Sequence, residues 1–143
     1  MLNRLKHRAA RWQQRRRAQK HQQAQVDEFL QLARMSFLRL QAAWDSADLA
    51  CMRDLATASL LDDLRFQLEQ RGPGPHRTEV LQLDARLLSL DDLQEALLAS
   101  VEFSGLIREE QQGAATPFRE LWMLASVKAA GPGWKLARVQ ALS

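Results

Sequence analysis

Carboxylates, imidazoles, thiols and phenols carry most proton transfer and nucleophilic attack in proteins, so their placement along these 143 residues bounds the chemistry available. Tyr is absent. Of the three histidines, His7 and His21 fall in a basic N-terminal segment and His76 in a Gly/Pro connector, so none sits on a strand face. Asp84 and Glu102 stand opposite the apolar alternation of two expected strands. That position gives them to solvent, or to ion pairs with Arg86 and Arg108, rather than to acid–base work. Cys51 has no His or Cys at ligand spacing and reads as a small residue packed on a helix. As the single cysteine it also excludes an internal disulfide. Gly72-Pro73-Gly74-Pro75 follows a helix and carries Pro after each Gly, which makes it a turn and not a phosphate cradle. The inventory predicts no enzyme, no cofactor and no metal.

Charge is the stronger signal. Residues 1–25 hold eight cations (Arg4, Lys6, Arg8, Arg11, Arg15, Arg16, Arg17 and Lys20) and no Asp or Glu. Taking these from the 20 Lys and Arg leaves 12 against 17 Asp and Glu, so a body of charge −5 lies beneath a net charge of +3. A basic arm on an acidic body implies an anionic partner for the arm, either lipid headgroups or nucleic-acid phosphates. No stretch approaches the roughly 18–20 apolar residues that span a bilayer. Nor does an apolar region follow the basic start as in a secretory signal, so the sequence reads as soluble or peripheral.

These residues need elements to place them. Residues 2–25 are rich in Gln, Arg, Lys and Ala and read as a helix with a thin apolar stripe, Leu2, Leu5, Ala9 and Trp12. Asp27 is expected to cap a second helix packing through Phe29, Leu30, Ala33, Phe37, Leu40 and Trp44. Asp45–Asp48 stops it, and Asp48 caps a short helix through Met52 and Leu55. Ser59, with Asp62 three residues on, is expected to cap another helix packing through Leu60, Leu61, Leu64 and Leu68. The period then falls to two: Leu81, Leu83, Ala85 and Leu87, then Leu97, Ala99, Val101 and Phe103, with the turn at Asp91-Asp92. Residues 118–127 and 134–142 supply two more strands around a Gly/Pro turn. The expected division is a basic helical arm, 1–25, and an α+β domain, 26–143, with helices on one face of a four-stranded antiparallel sheet. Leu88, Leu90, Leu98, Leu106, Trp122 and Leu124 leave the other face short of polar cover, which suggests a homodimer through that face.

The stretch Phe37-Leu-Arg-Leu-Gln-Ala-Ala-Trp44-Asp45 followed by Asp48-Leu49 resembles the opening of the Tim-forty-four-like domain family, bacterial branch. So do Thr78-Glu79-Val80 with Leu83-Asp84-Ala85, and Val101-Glu-Phe103-Ser-Gly105-Leu-Ile-Arg108-Glu109. The close is similar as well: Pro117-Phe118-Arg-Glu120-Leu-Trp122, then Gly133-Trp134-Lys-Leu136-Ala137 and Val139-Gln140. The family is named for a matrix-side subunit of mitochondrial inner-membrane import, which tethers a chaperone to the translocon and touches cardiolipin-rich membrane. The resemblance implies a nuclear-transport-factor-two-like cone, with helices closing over a curved sheet around an apolar cavity. It also implies a peripheral place on the cytoplasmic face of a bacterial inner membrane, or in the mitochondrial matrix of a eukaryote. Bacterial members usually open with a hydrophobic anchor and a Gly-rich linker; here the basic helix stands in that place.

Two sites follow. Arg4, Lys6, Arg8, Arg11, Trp12, Arg15, Arg16, Arg17 and Lys20 are expected to contact an anionic membrane, with RNA or the ribosome as the alternative. Phe37, Trp44, Phe103, Phe118, Trp122 and Trp134 are expected to line a pocket for an acyl chain or an apolar segment of an unidentified protein partner. A small-ligand enzyme of the same cone-shaped fold ranks third among the functional readings.

Overall fold

The structure, a computed structural model, describes the backbone of residues 2–109 and 113–142, with side chains from residue 8 onward. Two compact units are present, Met1–Leu32 and Ala33–Ser143. Helix α1 spans Leu2–Ser46, α2 Leu49–Leu55 and α3 Ala58–Arg71. Strands β1 (Glu79–Asp92), β2 (Ala96–Arg108), β3 (Thr116–Val127) and β4 (Lys135–Ala141) follow. They form one antiparallel sheet in the order β1-β2-β3-β4. The domain is therefore α+β, helices first and then a meander, as the change of period predicts.

The helix start expected at Asp27 does not form. α1 runs through it, and the Asp27 carboxylate accepts a bond from Gln23 Nε2 at 2.9 Å, one turn back on the same helix. A cap needs non-helical backbone, and no Gly or Pro between Leu2 and Ser46 provides a break. α1 does end where expected: Ala47 takes φ 54°, and the Ala47 and Asp48 amides donate to the Trp44 and Ala43 carbonyls at 3.3 and 2.8 Å. That pair of bonds is a Schellman closure around a left-handed residue. Asp48 then caps α2, accepting from the Cys51 amide at 3.1 Å.

Thr57, not Ser59, caps α3, accepting from the Leu60 amide at 3.4 Å. The reason lies in β4. Ala56 bridges Leu136, and the Thr57 amide donates to the Leu136 carbonyl at 2.9 Å, so these two residues are held extended and the helix begins directly after them. Asp91 and Asp92 complete β1 instead of turning, and the tight turn falls at Leu93–Glu95, closed by the Leu93 amide on the Ala96 carbonyl.

Val101 and Phe103 of β2, Leu124 of β3 and Leu136 of β4 are essentially inaccessible, facing Ala33, Phe37, Leu40 and Ala43 of α1 and the α2–α3 leucines in one core. Paired antiparallel residues share a sheet face, and Trp122 and Leu124 pair with Val101 and Ala99. Trp122 and Leu124 therefore belong to the helix-covered side, not to the open face to which the sequence assigned them. Leu90, opposite Ala99, shares their side although it is exposed, because a bulge at Leu88 reverses the alternation of β1. The open face keeps Leu98 and Leu106, both half-buried, and a polar centre. There Glu102 lies 3.4 Å from Arg86 and 3.7 Å from Arg119.

Candidate functional site

Where α1, α3 and the sheet meet, the Ala33–Ser143 unit has a half-open cavity of about 530 Å³. Its aromatic floor comes from two elements with different periods. Phe37, Leu40 and Trp44 recur at 3–4 spacing on α1, and Trp122 comes from the inner face of β3. Phe37 is the hub: its ring centroid lies 4.9 Å from Phe103, 5.5 Å from Phe118 and 5.2 Å from Trp122. Offset and tilted pairs at these separations add to burial and fix ring orientation. Phe103, fully buried, supports the floor from behind, while Phe118 stacks on Phe37 at its side. Trp134, half-buried just before β4, is outside the lining. Of the six aromatic residues expected at a pocket, then, Phe37, Trp44 and Trp122 line it, and Phe103 and Phe118 hold Phe37.

The remaining walls are less apolar than expected. α3 presents Leu60, Asp63, Leu64 and Gln67, which share one helical face at i, i+3, i+4 and i+7. Glu109 follows β2, and Glu120 sits on the inner face of β3, two residues before Trp122, whose indole Nε1–H donates to the Glu120 carboxylate at 2.9 Å. Asp63, Glu109 and Gln67 make no hydrogen bond or ion pair with described residues, and Arg138 is the one cation of the lining. None of these polar residues was expected there. The signal existed in the α3 period and in the alternation of Phe118, Glu120 and Trp122, but polar residue types read as solvated.

The connector beside the cavity is tied down. The Asp45 carboxylate accepts from the Thr78 amide at 2.7 Å, and Arg71 donates to the Trp44 carbonyl at 2.6 Å while its guanidinium lies 5.1 Å from the Trp44 ring centre. A smaller recess of about 320 Å³ borders it, where His76 Nε2 has no hydrogen-bond partner. The strand carboxylates lie elsewhere: Glu102 is ion-paired, Asp84 accepts from Gln82 at 3.0 Å, and Arg108 pairs with Glu79 rather than with Asp84 or Glu102. Cys51 meets Arg39 Nη2 at 4.0 Å. Among the described residues, no three His, Cys, Asp or Glu side chains are grouped to hold a metal ion.

In the Met1–Leu32 unit, Arg8, Arg11, Arg15, Arg16, Arg17 and Lys20 are all exposed on α1, and no acid stands among residues 8–25. Arg4 and Lys6 are outside the residues whose side chains are described. Trp12 is 58 % exposed, and the Arg16 guanidinium, one turn on, lies 4.8 Å from its ring centre. Arg8, Arg11 and Arg15 follow one flank of the Trp12 stripe at helical spacing, and Arg17 and Lys20 follow the other. Among the described residues, no helix is long and apolar enough to cross a membrane.

A model of the Tim44-like domain matches residues 14–141. No curated protein gives a match. Among solved structures, the intermembrane space region of the chloroplast protein ARC6 is similar at a TM-score of 0.52 and 14% identity, over 80% of this chain and 96% of that one. A conserved protein from Planctomyces limnophilus aligns at a TM-score of 0.44 and 14% identity, over 82% and 98%. At such identity the ARC6 likeness speaks to the fold: helices packed on an open four-stranded antiparallel sheet.

Proposed function

Because this chain belongs to the Tim44-like domain family, we propose that it is a non-enzymatic tether whose basic arm holds it to an anionic membrane while its domain engages a partner. Members of the family are typically membrane-associated and interact with proteins. The observation that carries the reading is the arm itself, an exposed helical surface with six described cations, no acid and an exposed Trp12. Each cation near an anionic surface contributes on the order of 1 kcal/mol, whereas the apolar stripe alone is too thin to anchor the chain. Flanking cations place their charges at headgroup level while the aromatic ring enters the interface. On the domain side, the aromatic cavity is the surface suited to an apolar chain or side chain of the partner.

The test is co-sedimentation with vesicles containing cardiolipin, using the full chain and a form lacking residues 1–25. Binding that weakens with salt and disappears on deletion supports the proposal. Binding to RNA or ribosomes with none to vesicles replaces the membrane by phosphate backbone as the arm's partner.

A further inference from the structure

The cavity carries more than its volume. Its aromatic floor, Phe37, Trp44 and Trp122, is ringed by carboxylates from three separate elements, Asp63 of α3, Glu109 after β2 and Glu120 of β3, against the single cation Arg138. Asp63 and Glu109 have no cationic partner among the described residues, and Glu120 is held by an indole N–H, not by a charge. A fatty-acid carboxylate brought to this rim meets like charge from side chains that are exposed or half-buried, which opposes its binding. A cation meets opposite charge there, and the ring of Trp44, the half-buried member of the floor, attracts it as well. Trp44 already accepts a guanidinium, that of Arg71, over its ring.

We propose that this cavity binds a cationic amphiphile, with its apolar body on Phe37, Trp44 and Trp122 and its ammonium or guanidinium head among Asp63, Glu109 and Glu120. This rests on the reading of the cavity as a ligand site and differs from the acyl chain expected from the sequence, whose usual head is an anion. A pocket of about 530 Å³ falls within the range that encloses small organic ligands. The remainder of the chain, which holds the cavity, carries −5, so a general attraction of this body for cations adds to the local one.

The test titrates the full chain with decyltrimethylammonium, decanoate and decyl maltoside below their micelle concentrations, following the indole N–H resonances of Trp44 and Trp122. The cation should bind at least tenfold more tightly than the anion of equal chain length at these two indoles, and more weakly as salt rises. Asp63→Lys with Glu109→Lys should reverse that order while leaving the unfolding midpoint in place, since both side chains are exposed. If the three probes bind alike, if decanoate binds more tightly, or if the double variant keeps the wild-type order, the cation assignment is overturned and the cavity remains a ligand site. If no probe perturbs either indole, the assignment and the ligand site fall together.

Discussion

Ala47 holds the left-handed turn that ends α1, at φ 54°, a conformation in which a Cβ is crowded by the neighbouring carbonyl. Glycine carries no such penalty, and Ala47 is exposed, so Ala47→Gly should raise stability by about 0.5–1 kcal/mol in denaturant unfolding. At this scale the sequence was legible where residue type and position agreed. Phe37, Trp44 and Trp122 are large aromatics on apolar repeats, and each lines the cavity. Asp63, Gln67 and Glu120 were not legible because their types argue for solvent, and only the packing of α3 and β3 brings them to the cavity, Asp63 and Gln67 exposed and Glu120 half-buried. A carboxylate such as Glu120, which accepts the Trp122 indole proton, is recognised only once the two side chains are seen on one strand face.

Among the elements, β1 and β2 approach closely at Gly105. A Cβ added there would stand 1.9 Å from the Gln82 carbonyl oxygen, beside the β1 bulge at Leu81. Backbone cannot rotate aside as a side chain does, so Gly105→Ala should cost about 1–3 kcal/mol in thermal or denaturant unfolding, through displacement of β1. The helices and strands followed from the sequence because their periods are long and regular. The stop after Trp44 and the Asp48 cap followed too, but other junctions did not. Thr57 caps α3 because β4 holds it extended, a contact invisible to a local rule about Ser59 and Asp62. The faces of β3 were misjudged because Leu121, Met123 and Ala125 are apolar like Trp122 and Leu124, so alternation gives no sign of which row meets the helices. The Leu88 bulge has the same effect on Leu90, since one inserted residue exchanges inside for outside.

On the scale of the whole molecule, charge is divided between a basic arm and an acidic remainder, and this division was read from composition alone. It makes the arm separable by experiment. Replacing Arg15, Arg16 and Arg17 by Gln removes three of its six described cations and should weaken binding to cardiolipin vesicles by about 3 kcal/mol, on the order of 100-fold. Its helix should persist, because Gln forms helix nearly as well as Arg; circular dichroism and vesicle sedimentation check the two halves of the statement. The cavity is unaffected in this variant, so its ligand titration serves as the control. The single bridge from Ala56 to Leu136, with Lys135 Nζ donating to the Arg53 carbonyl at 3.2 Å, bears on the order of assembly. It joins the α2–α3 junction to the last strand across most of the domain's length, a large loop to close and a source of high contact order. During synthesis, α2 and α3 must wait with their leucines uncovered until Leu136 has left the ribosome. The nascent domain is therefore exposed to aggregation through these leucines until β4 is made.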